Sequence, residues 1–458
     1  MLTWAGAIRC IALILLQLFV LTGKGQISTS RIDDYVSQSV MKMPIPNLDI
    51  AIVQGDSLIY SYGDLENVHY LGSVSKSLTA FATLKMIQDS LITFKTRVVN
   101  ILPVKFSDFG QDITIKTLLQ HTSGISKVSG FLEIPEHATI EDGNYEIDIS
   151  FPPGSKHEYS NLNYALLGLI IEKISNQPFD KFLEEKLFQP LHMRRATVGL
   201  REVVKDYVSD QFQYIGPWPI LSSQMEYERT TIPAGFICAS ANDMINYLVA
   251  NLNKGSFNRQ QVLDTVLVEI MRDPWGDEDY GYTIGWKKGW YNHKPFYQHL
   301  GSTATSYSGI FFFPDSNIGL VVLSNTNSLS FTESMMEGLV ALISGTDPPI
   351  PTSKEYYLRS IILVVGLFAI LFNVFLIYKV RLNNSVVYKK KVAVKSTIIH
   401  TLLIVTTMIT FPIITQVPFY TFLKIQPDIG TLILIMLISP LVLSCLKLYK
   451  SSINSSKA

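Results

Sequence analysis

Hydrophobic and polar positions divide this chain into a long mixed part and an apolar C-terminal part. Three stretches near the C-terminus, 361–378, 397–423 and 429–446, contain no Asp, Glu, Lys or Arg. With a helical rise of 1.5 Å per residue, the shortest covers about 27 Å, close to the roughly 30 Å hydrocarbon core of a bilayer. The pattern predicts three transmembrane helices within 358–447. Buried helices of a soluble domain are the alternative, which this apolar length disfavours.

Positively charged residues are distributed unevenly around these stretches. The connection between the first and second stretches carries six of them and no acidic residue: Lys379, Arg381, Lys389, Lys390, Lys391 and Lys395. Three further lysines follow the third stretch. Because short loops rich in Lys and Arg stay cytoplasmic, we expect a cytoplasmic tail at 448–458. The mixed part then lies on the periplasmic or extracellular side of the cytoplasmic (inner) membrane, in a multi-pass chain.

The N-terminal residues 1–25 have the pattern of a signal peptide. Arg9 supplies the positive start, residues 11–21 form the apolar core, and Gly23-Lys24-Gly25 offers small residues for cleavage. The apolar run is short for a bilayer span, which favours a signal peptide over an anchor. A signal peptide implies export, which agrees with the position outside the cytoplasm that the lysine-rich loops predict for the mixed part.

Residues 27–349 have the pattern of a mixed globular domain. Two apolar runs, 48–53 and 57–62, are separated by a Gln-Gly-Asp turn and predict a β-hairpin. Four later runs also predict strands, the last two joined by a turn: 282–286, 296–300, 309–313 and 318–324. Helical patterns fill the middle and follow the last strand: 115–120, 164–175, 179–188 and 331–343. We predict an α+β fold in which an antiparallel sheet from both chain ends is flanked by helices, with a mostly helical subdomain. A proline-rich stretch at 344–354 ends this domain, and a linker at 350–357 leads to the apolar stretches.

Composition narrows the classes of function. The 458 residues carry 38 basic and 38 acidic side chains, and 17% of the residues are charged, so nothing indicates a nucleic-acid partner. The three cysteines give no disulfide framework, because Cys10 and Cys445 lie in apolar stretches. The histidines are scattered without a His-Glu-x-x-His motif, so we expect no metal and no cofactor.

The first candidate for chemistry is the segment 71–79, Leu-Gly-Ser-Val-Ser-Lys-Ser-Leu-Thr, which predicts the start of a helix. On such a helix Ser73 and Lys76 lie one turn apart on the same side. A serine hydroxyl becomes a nucleophile when a base removes its proton, and a lysine kept neutral by burial can be that base. Ser-x-x-Lys also occurs at Ser39 and at Ser444, so the assignment depends on the rest of the chain.

Two further segments fit the same chemistry. Tyr159 and Asn161 stand two residues apart before a helical pattern, where a phenol can shuttle a proton and an amide can hold a substrate carbonyl. His299, Gly301 and Ser302 lie on a predicted strand, where the glycine admits a substrate backbone. The N–H of Ser302 and that of the nucleophile can then form an oxyanion hole. No Gly-x-Ser-x-Gly occurs, which excludes the nucleophile elbow of the α/β-hydrolases.

The ordered motifs Ser-x-x-Lys, Tyr-x-Asn and His-x-Gly resemble the class C β-lactamase and D-Ala-D-Ala carboxypeptidase family of serine hydrolases. Three flanking segments share the resemblance, which covers 27–344: 115–124, 233–235 and 280–286. It implies a β-lactamase/transpeptidase-like fold, with Ser73 as the acylated nucleophile, Lys76 as its base and Tyr159 as the proton shuttle. Asn161 would be a substrate-binding amide, and His299 and Gly301 would lie on the strand that receives the substrate. By contrast, we expect a structural role for His121.

Two departures point to a substrate class. The β-lactamases of this family usually carry a lysine where His299 stands, and the His-x-Gly form resembles the D-amino-acid peptidases and carboxypeptidases. The three apolar stretches make the architecture similar to the membrane-anchored peptidases that remove an acylated D-asparagine from prodrug natural products. From an ordinary histidine pKa near 6.5, we also expect β-lactam acylation to improve as the pH falls from about 7.5 toward 6.

We therefore expect an exported, membrane-anchored serine hydrolase acting through a Ser73 acyl-enzyme. Its substrate would be a small molecule or a peptide, and the resemblance favours an amide of a D-amino-acid-containing or acylated peptide. The alternatives are a β-lactamase or an esterase with the same site, and a penicillin-binding sensor that is acylated without turnover. The oligomeric state stays open.

Overall fold

The computed structural model describes residues 28–127, 129, 146–199, 207–222, 227, 229–275, 281–382, 389–415 and 417–455. The predicted signal peptide lies outside these residues. The described strands, in chain order, are β1 (Leu48–Gln54), β2 (Ser57–Tyr62), β3 (Val68–Tyr70), β4 (Lys105–Phe106), β5 (Glu146–Ile147), β6 (Thr197–Val198), β7 (Phe212–Ile215), β8 (Trp218–Leu221), β9 (Ile237–Ser240), β10 (Ser256–Phe257), β11 (Gln260–Gln261), β12 (Gly281–Tyr282), β13 (Lys287–Tyr291), β14 (Lys294–Ser302), β15 (Tyr307–Phe313) and β16 (Ile318–Ser324).

The described helices follow the same order. They are α1 (Thr29–Val40), α2 (Ser75–Gln88), α3 (Ile115–Leu119), α4 (Asn161–Ser175), α5 (Phe179–Leu183), α6 (Ile232–Gly235), α7 (Ala241–Leu252), α8 (Thr265–Met271), α9 (Leu329–Ile343), α10 (Lys354–Leu382), α11 (Lys390–Thr415), α12 (Phe419–Ile425) and α13 (Pro427–Ser455). A π-helical turn, Glu184–Phe188, extends α5.

The central sheet has seven antiparallel strands in the order β12-β13-β14-β15-β16-β1-β2. Strand β1 pairs with β16 from Leu48↔Ser324 to Gln54↔Ile318, so the N-terminal hairpin completes a sheet begun by the later strands. The prediction of an α+β fold with a sheet from both chain ends is therefore confirmed.

Helices cover both faces of this sheet. Along β16, Leu320 and Val322 belong to a core shared with α1 and α9, whereas Val321 and Leu323 belong to a core shared with α2 and α7. Successive side chains of a strand point to opposite faces, and here both faces are apolar. Every residue of β16 is buried as a result. The second core extends into the helical subdomain, where it includes Tyr164 of α4.

The structure corrects three details of the predicted elements. Of the predicted strand at 282–286, only Gly281–Tyr282 is a strand, because the chain turns between Thr283 and Trp286, whose N–H and C=O form a 2.8 Å hydrogen bond. Strand β13 was not predicted. Ser73 lies not in the helix itself but in a 3₁₀ turn, Gly72–Val74, directly before α2.

Among its described residues, the C-terminal part has three helices long and apolar enough to cross a membrane, Lys354–Leu382, Lys390–Thr415 and Pro427–Ser452. The first begins inside the predicted linker. The predicted stretch 397–423 is divided, since α11 ends at Thr415 and the short helix α12 begins after Pro418. These helices indicate membrane association, and the side on which the mixed domain lies stays a prediction.

Candidate active site

Two glycines bring the turn that carries Ser73 against strand β14. Gly72 adopts φ +52°, and a Cβ there would lie 2.5 Å from the backbone nitrogen of Ser302. A Cβ at Gly301 would collide with the Leu71 carbonyl and lie 3.0 Å from the backbone nitrogen of Ser73. Neither position tolerates a side chain without a backbone shift. The close approach places the backbone of Ser73 next to that of residues 301 and 302, where the sequence predicted an oxyanion hole.

Lys76 is fully buried in the first turn of α2. Its Nζ lies 3.1 Å from Ser73 Oγ and donates to the Ala234 carbonyl at 2.5 Å. Burial lowers the pKa of Lys76 well below its usual value, because the charged ammonium loses its hydration. In the neutral form, the Nζ lone pair can accept the proton of the Ser73 hydroxyl while an N–H still donates to the carbonyl.

Tyr159 stands beside this pair, in the extended segment that leads into α4. The Nζ of Lys76 is 5.0 Å from the centroid of its ring. Burial raises the pKa of Tyr159 above its usual value, and the interaction with Ser73 offsets only part of that shift. The phenol is therefore protonated at neutral pH. The structure thus favours a protonated phenol that relays a proton through hydrogen bonds over a phenolate.

The ring of His121 packs against that of Tyr159, with centroids 4.3 Å apart and planes inclined by 33°. Its Nδ1 accepts hydrogen bonds from the backbone N–H of Ser160 at 3.1 Å and from Asn163 Nδ2 at 2.9 Å. The Asn163 amide is oriented this way because its Oδ1 accepts from Ser123 Oγ at 2.6 Å. His121 is thus neutral, and it fixes the backbone at the residue after Tyr159.

His299 differs from the sequence-based expectation in its protonation. Its Nδ1 donates to the Gly285 carbonyl at 2.8 Å. Burial first, and the charge of Lys76 when that amine is protonated, lower the pKa of His299 to about 3. The expected titration of His299 between pH 7.5 and 6 is therefore wrong, because the ring is desolvated and close to another basic group. With the proton on Nδ1, Nε2 is left as an acceptor.

These residues surround a cavity of about 660 Å³. Its lining contains five of the seven predicted site residues, with Lys76 buried behind Ser73. The remaining one, Asn161, is half-buried at the start of α4 and is not among the described residues that line the cavity. The lining residues are Ser73, His157, Tyr159, Trp275, Gly281, Tyr282, Lys287, Gln298, His299, Leu300, Gly301, Ser302 and Tyr307.

A protein-family model described as Beta-lactamase matches residues 32–344, more than half of the chain. The chain belongs to this family. Among curated proteins, it is similar to Protein flp of Staphylococcus aureus (strain NCTC 8325 / PS 47), with 26% identity over 328 residues, covering 66% of this chain and 64% of that protein. It is also similar to Penicillin-binding protein 4 of Amycolatopsis lactamdurans, with 25% identity over 307 residues, covering 62% and 79% of the two chains. The chain thus spans somewhat less than two thirds of the length of Protein flp.

Solved structures show the same fold. The octameric penicillin-binding protein homologue from Pyrococcus abyssi superimposes with a TM-score of 0.59 at 21% identity, covering 72% of this chain and 80% of that one. The crystal structure of SurE gives a TM-score of 0.58 at 18% identity, covering 69% and 75%. Family membership and the geometry around Ser73 together support a serine hydrolase.

Sequence reasoning missed one charged residue of this β-lactamase-family cavity. Lys287 lies on β13 directly opposite Gln298 of β14, one strand away from the Ser73 turn. Its positive charge, after burial, lowers the pKa of His157, which also lines the cavity. The signal was hidden because β13, with its sequence Lys-Lys-Gly-Trp-Tyr, does not have an apolar pattern. Had the strand been predicted, its pairing would have placed Lys287 at the site.

Proposed function

We propose that this protein is an exported, membrane-anchored serine hydrolase that cleaves amide bonds of D-amino-acid-containing or acylated peptides through a Ser73 acyl-enzyme. One observation carries the catalytic part: a buried lysine with a strongly lowered pKa lies 3.1 Å from the hydroxyl of a half-buried serine that lines a cavity. A neutral amine at hydrogen-bonding distance from a serine is the arrangement that activates a nucleophile.

Acylation begins when the Ser73 hydroxyl proton moves to the neutral Nζ of Lys76 and Oγ attacks the substrate carbonyl carbon. The negative charge that develops on the carbonyl oxygen is stabilised by the backbone N–H groups of Ser73 and Ser302. The proton then passes from Lys76, through the protonated Tyr159 phenol, to the leaving amine. The carbon–nitrogen bond breaks, and an ester on Ser73 remains.

Deacylation reverses the proton path. A water molecule loses a proton through Tyr159 to Lys76 as its oxygen attacks the ester carbon. The proton returns to Ser73 Oγ as the ester bond breaks, and the acid product leaves. Each step needs the amine to be neutral at its start, which is why the lowered pKa of Lys76 matters.

The environment of His299 supports the peptidase assignment. β-Lactams carry a carboxylate, and a lysine at this strand position would meet it with a full charge, whereas the neutral His299 does not. The Nε2 acceptor suits an N–H or O–H of a peptide substrate better than an anion. The three apolar helices support membrane anchoring, and the lysine-rich loop supports placement of the cavity outside the cytoplasm.

Mass spectrometry of the intact full chain tests this proposal. Wild type is incubated with an acyl-D-amino-acid peptide, a penicillin and a simple ester, with Ser73→Ala as the control. We expect a transient adduct with the peptide, a slowly formed adduct with penicillin, and neither in the variant. Rapid penicillin turnover would instead indicate a β-lactamase, turnover of the ester alone an esterase, and adducts that never leave a penicillin-binding sensor.

A further inference from the structure

The hairpin formed by β7 and β8 exposes large apolar side chains. Its turn is Gly216-Pro217, and Gly216 has φ +59°. Because proline cannot adopt a positive φ, this is a type II′ turn, one of the two tight turns that favour hairpins. Three large side chains near the turn are strongly exposed: Ile215 by 47%, Trp218 by 55% and Ile220 by 48%. Apolar residues clustered in this way indicate a contact with another apolar surface.

Three of the four strongly exposed apolar side chains share one face of the hairpin, and the fourth, Leu221, lies on the opposite face and is 63% exposed. Ile215 pairs with Trp218, and Gln213 pairs with Ile220, so these four residues point to the same side. The opposite side carries Tyr214, which is buried and donates its hydroxyl proton to the Pro44 carbonyl at 2.6 Å. We call Ile215, Trp218 and Ile220 the apolar face. It points away from the catalytic domain.

Three contacts attach this hairpin to the apolar helices. The N–H of Gly216 donates to Asp428 Oδ2 of α13 at 2.9 Å, and Gln213 Nε2 donates to the Lys424 carbonyl of α12 at 2.8 Å. A Cβ at Gly216 would lie 2.7 Å from Leu363 Cδ2 of α10, so only a glycine fits there. The position of the hairpin along these helices is thereby fixed.

These contacts also give the depth of the hairpin relative to the predicted spans. Leu363 is two residues, about 3 Å of helix, inside the uncharged stretch 361–378. Asp428 is the last charged residue before the uncharged stretch 429–446. The turn at Gly216 therefore lies where the charged helix ends meet the apolar spans. In a bilayer this is the level of the headgroup–acyl boundary, the region that tryptophan prefers.

We propose that the apolar face of the β7–β8 hairpin inserts into the lipid leaflet on the side of the catalytic domain, as a membrane contact additional to the three helices. The inference rests on the membrane anchoring proposed above and extends it to the catalytic domain. Because the apolar face lies next to the apolar helices, which lipid would surround in a bilayer, we expect lipid to contact this face as well. The inserted hairpin, held to α10, α12 and α13, fixes the orientation of the catalytic domain above the membrane surface.

Quenching by brominated lipid tests this proposal in the full chain. Wild type and Trp218→Phe are reconstituted in nanodiscs of plain phosphatidylcholine or of phosphatidylcholine brominated at a shallow acyl position. The emission of wild type minus that of Trp218→Phe gives the fluorescence of Trp218. We expect bromine to remove at least half of that difference, and less when it is placed deep in the acyl chain. The control is Trp286, which is fully buried in the domain core. The emission of wild type minus that of Trp286→Phe should be the same in all lipids.

A second probe does not depend on tryptophan. In a chain with Cys10 and Cys445 replaced by serine, a nitroxide on Ile220→Cys should collide readily with oxygen and poorly with a water-soluble nickel chelate. The same label on Val266→Cys, a position 61% exposed on α8, is the control for an apolar residue of similar exposure on another element.

The outcomes separate the possible failures. If the chain does not remain in the nanodiscs after an alkaline wash, the proposed anchoring itself is wrong. If the chain remains but bromine leaves the Trp218 difference unchanged, the lipid contact is overturned. Where Ile220→Glu then also changes the number of chains per nanodisc, the face contacts a second copy instead.

Discussion

Lys76 and Arg359 are both buried cationic residues, and what surrounds them differs. Within the part of the chain that the structure describes, the hydrogen-bond partners of Lys76 Nζ are uncharged: the hydroxyl of Ser73 and the carbonyl of Ala234. Without a nearby negative charge to compensate for lost hydration, a buried lysine gives up its proton. Burial thus turns a cation into a base at the active site.

At the junction with the apolar helices, burial has the opposite result. Arg359 Nε donates to Glu355 Oε1 at 3.0 Å, and Nη1 lies 3.7 Å from Asp428 Oδ2. Its guanidinium also lies 4.7 Å from the centroid of the Tyr214 ring. Arginine does not deprotonate in proteins, so its charge is compensated by partners rather than removed. The comparison shows two uses of a buried basic side chain. Lys76, whose partners are uncharged, becomes a base, whereas Arg359, paired with carboxylates, connects the apolar helices to one another and to Tyr214.

The largest expected effect comes from giving the active site a cation that cannot deprotonate. Lys76→Arg keeps a positive charge near Ser73 but supplies no neutral base. We expect kcat/KM for the peptide substrate to fall by more than about 1,000-fold, as in Ser73→Ala, because the two side chains act as one unit. Stopped-flow acylation measures this, and circular dichroism checks the fold. A Lys76→Arg variant with a tenth of the wild-type rate would disprove the role of Lys76 as the base.

The second prediction concerns the removal of Arg359 from its ion pairs. Arg359→Ala leaves the carboxylates of Glu355 and Asp428 without their cationic partner, and breaking a buried ion pair costs on the order of 3 kcal/mol. We expect the thermal unfolding midpoint of the full chain in nanodiscs to fall by roughly 3 °C. The control is Arg31→Ala, which removes an exposed pair with Asp347 at 2.6 Å. Such surface pairs contribute about 1 kcal/mol or less. Equal shifts in the two variants would show that the junction does not depend on this ion pair.

The alternation of apolar residues made much of the fold predictable. Two hairpins of the sheet, β1–β2 and β15–β16, were found because their strands are apolar and separated by short polar turns. Ser73, Tyr159 and His299 were found because their motifs are local in sequence. The structure brings all three to one cavity.

What the sequence could not show depends on contacts between distant residues. The pKa of His299 follows from burial beneath other elements and from Lys76, which lies 223 positions earlier in the chain. Strand β13 was missed because Lys287 and Lys288 break the apolar pattern of a strand near the sheet edge. The position of Asn161 outside the cavity lining depends on how the segment before α4 packs, which two residues of a motif do not determine.

The third prediction concerns how the acylation rate depends on pH. Since Lys76 must be neutral to accept the Ser73 proton, acylation should fall as the pH drops below its pKa, which is well below the usual 10.5. His299, with a pKa of about 3, should add no pH dependence between pH 6 and 8. The measurement is the acylation rate from pH 5 to 9 for wild type and His299→Gln. A pH dependence between 6 and 7.5 that the glutamine variant lacks would show that His299 titrates there.

The smallest expected effect concerns a cation that is neither buried nor catalytic. Lys287 is exposed at the cavity, where its charge can meet a substrate carboxylate. Exposed charge pairs are worth about 1 kcal/mol or less, which is about fivefold in binding. Lys287→Met should therefore raise KM about fivefold for a peptide with a free C-terminal carboxylate and leave kcat nearly unchanged.

The matched control for this prediction is the next residue on the same strand. Lys288 points to the other face of β13, where its Nζ lies 5.4 Å from the centroid of the Trp290 ring. Lys288→Met should leave KM unchanged, and the amidated form of the peptide should not distinguish the two variants. If Lys287→Met alters the carboxylate and amide peptides equally, Lys287 shapes the cavity without reading charge, and the anionic end of a substrate must bind elsewhere.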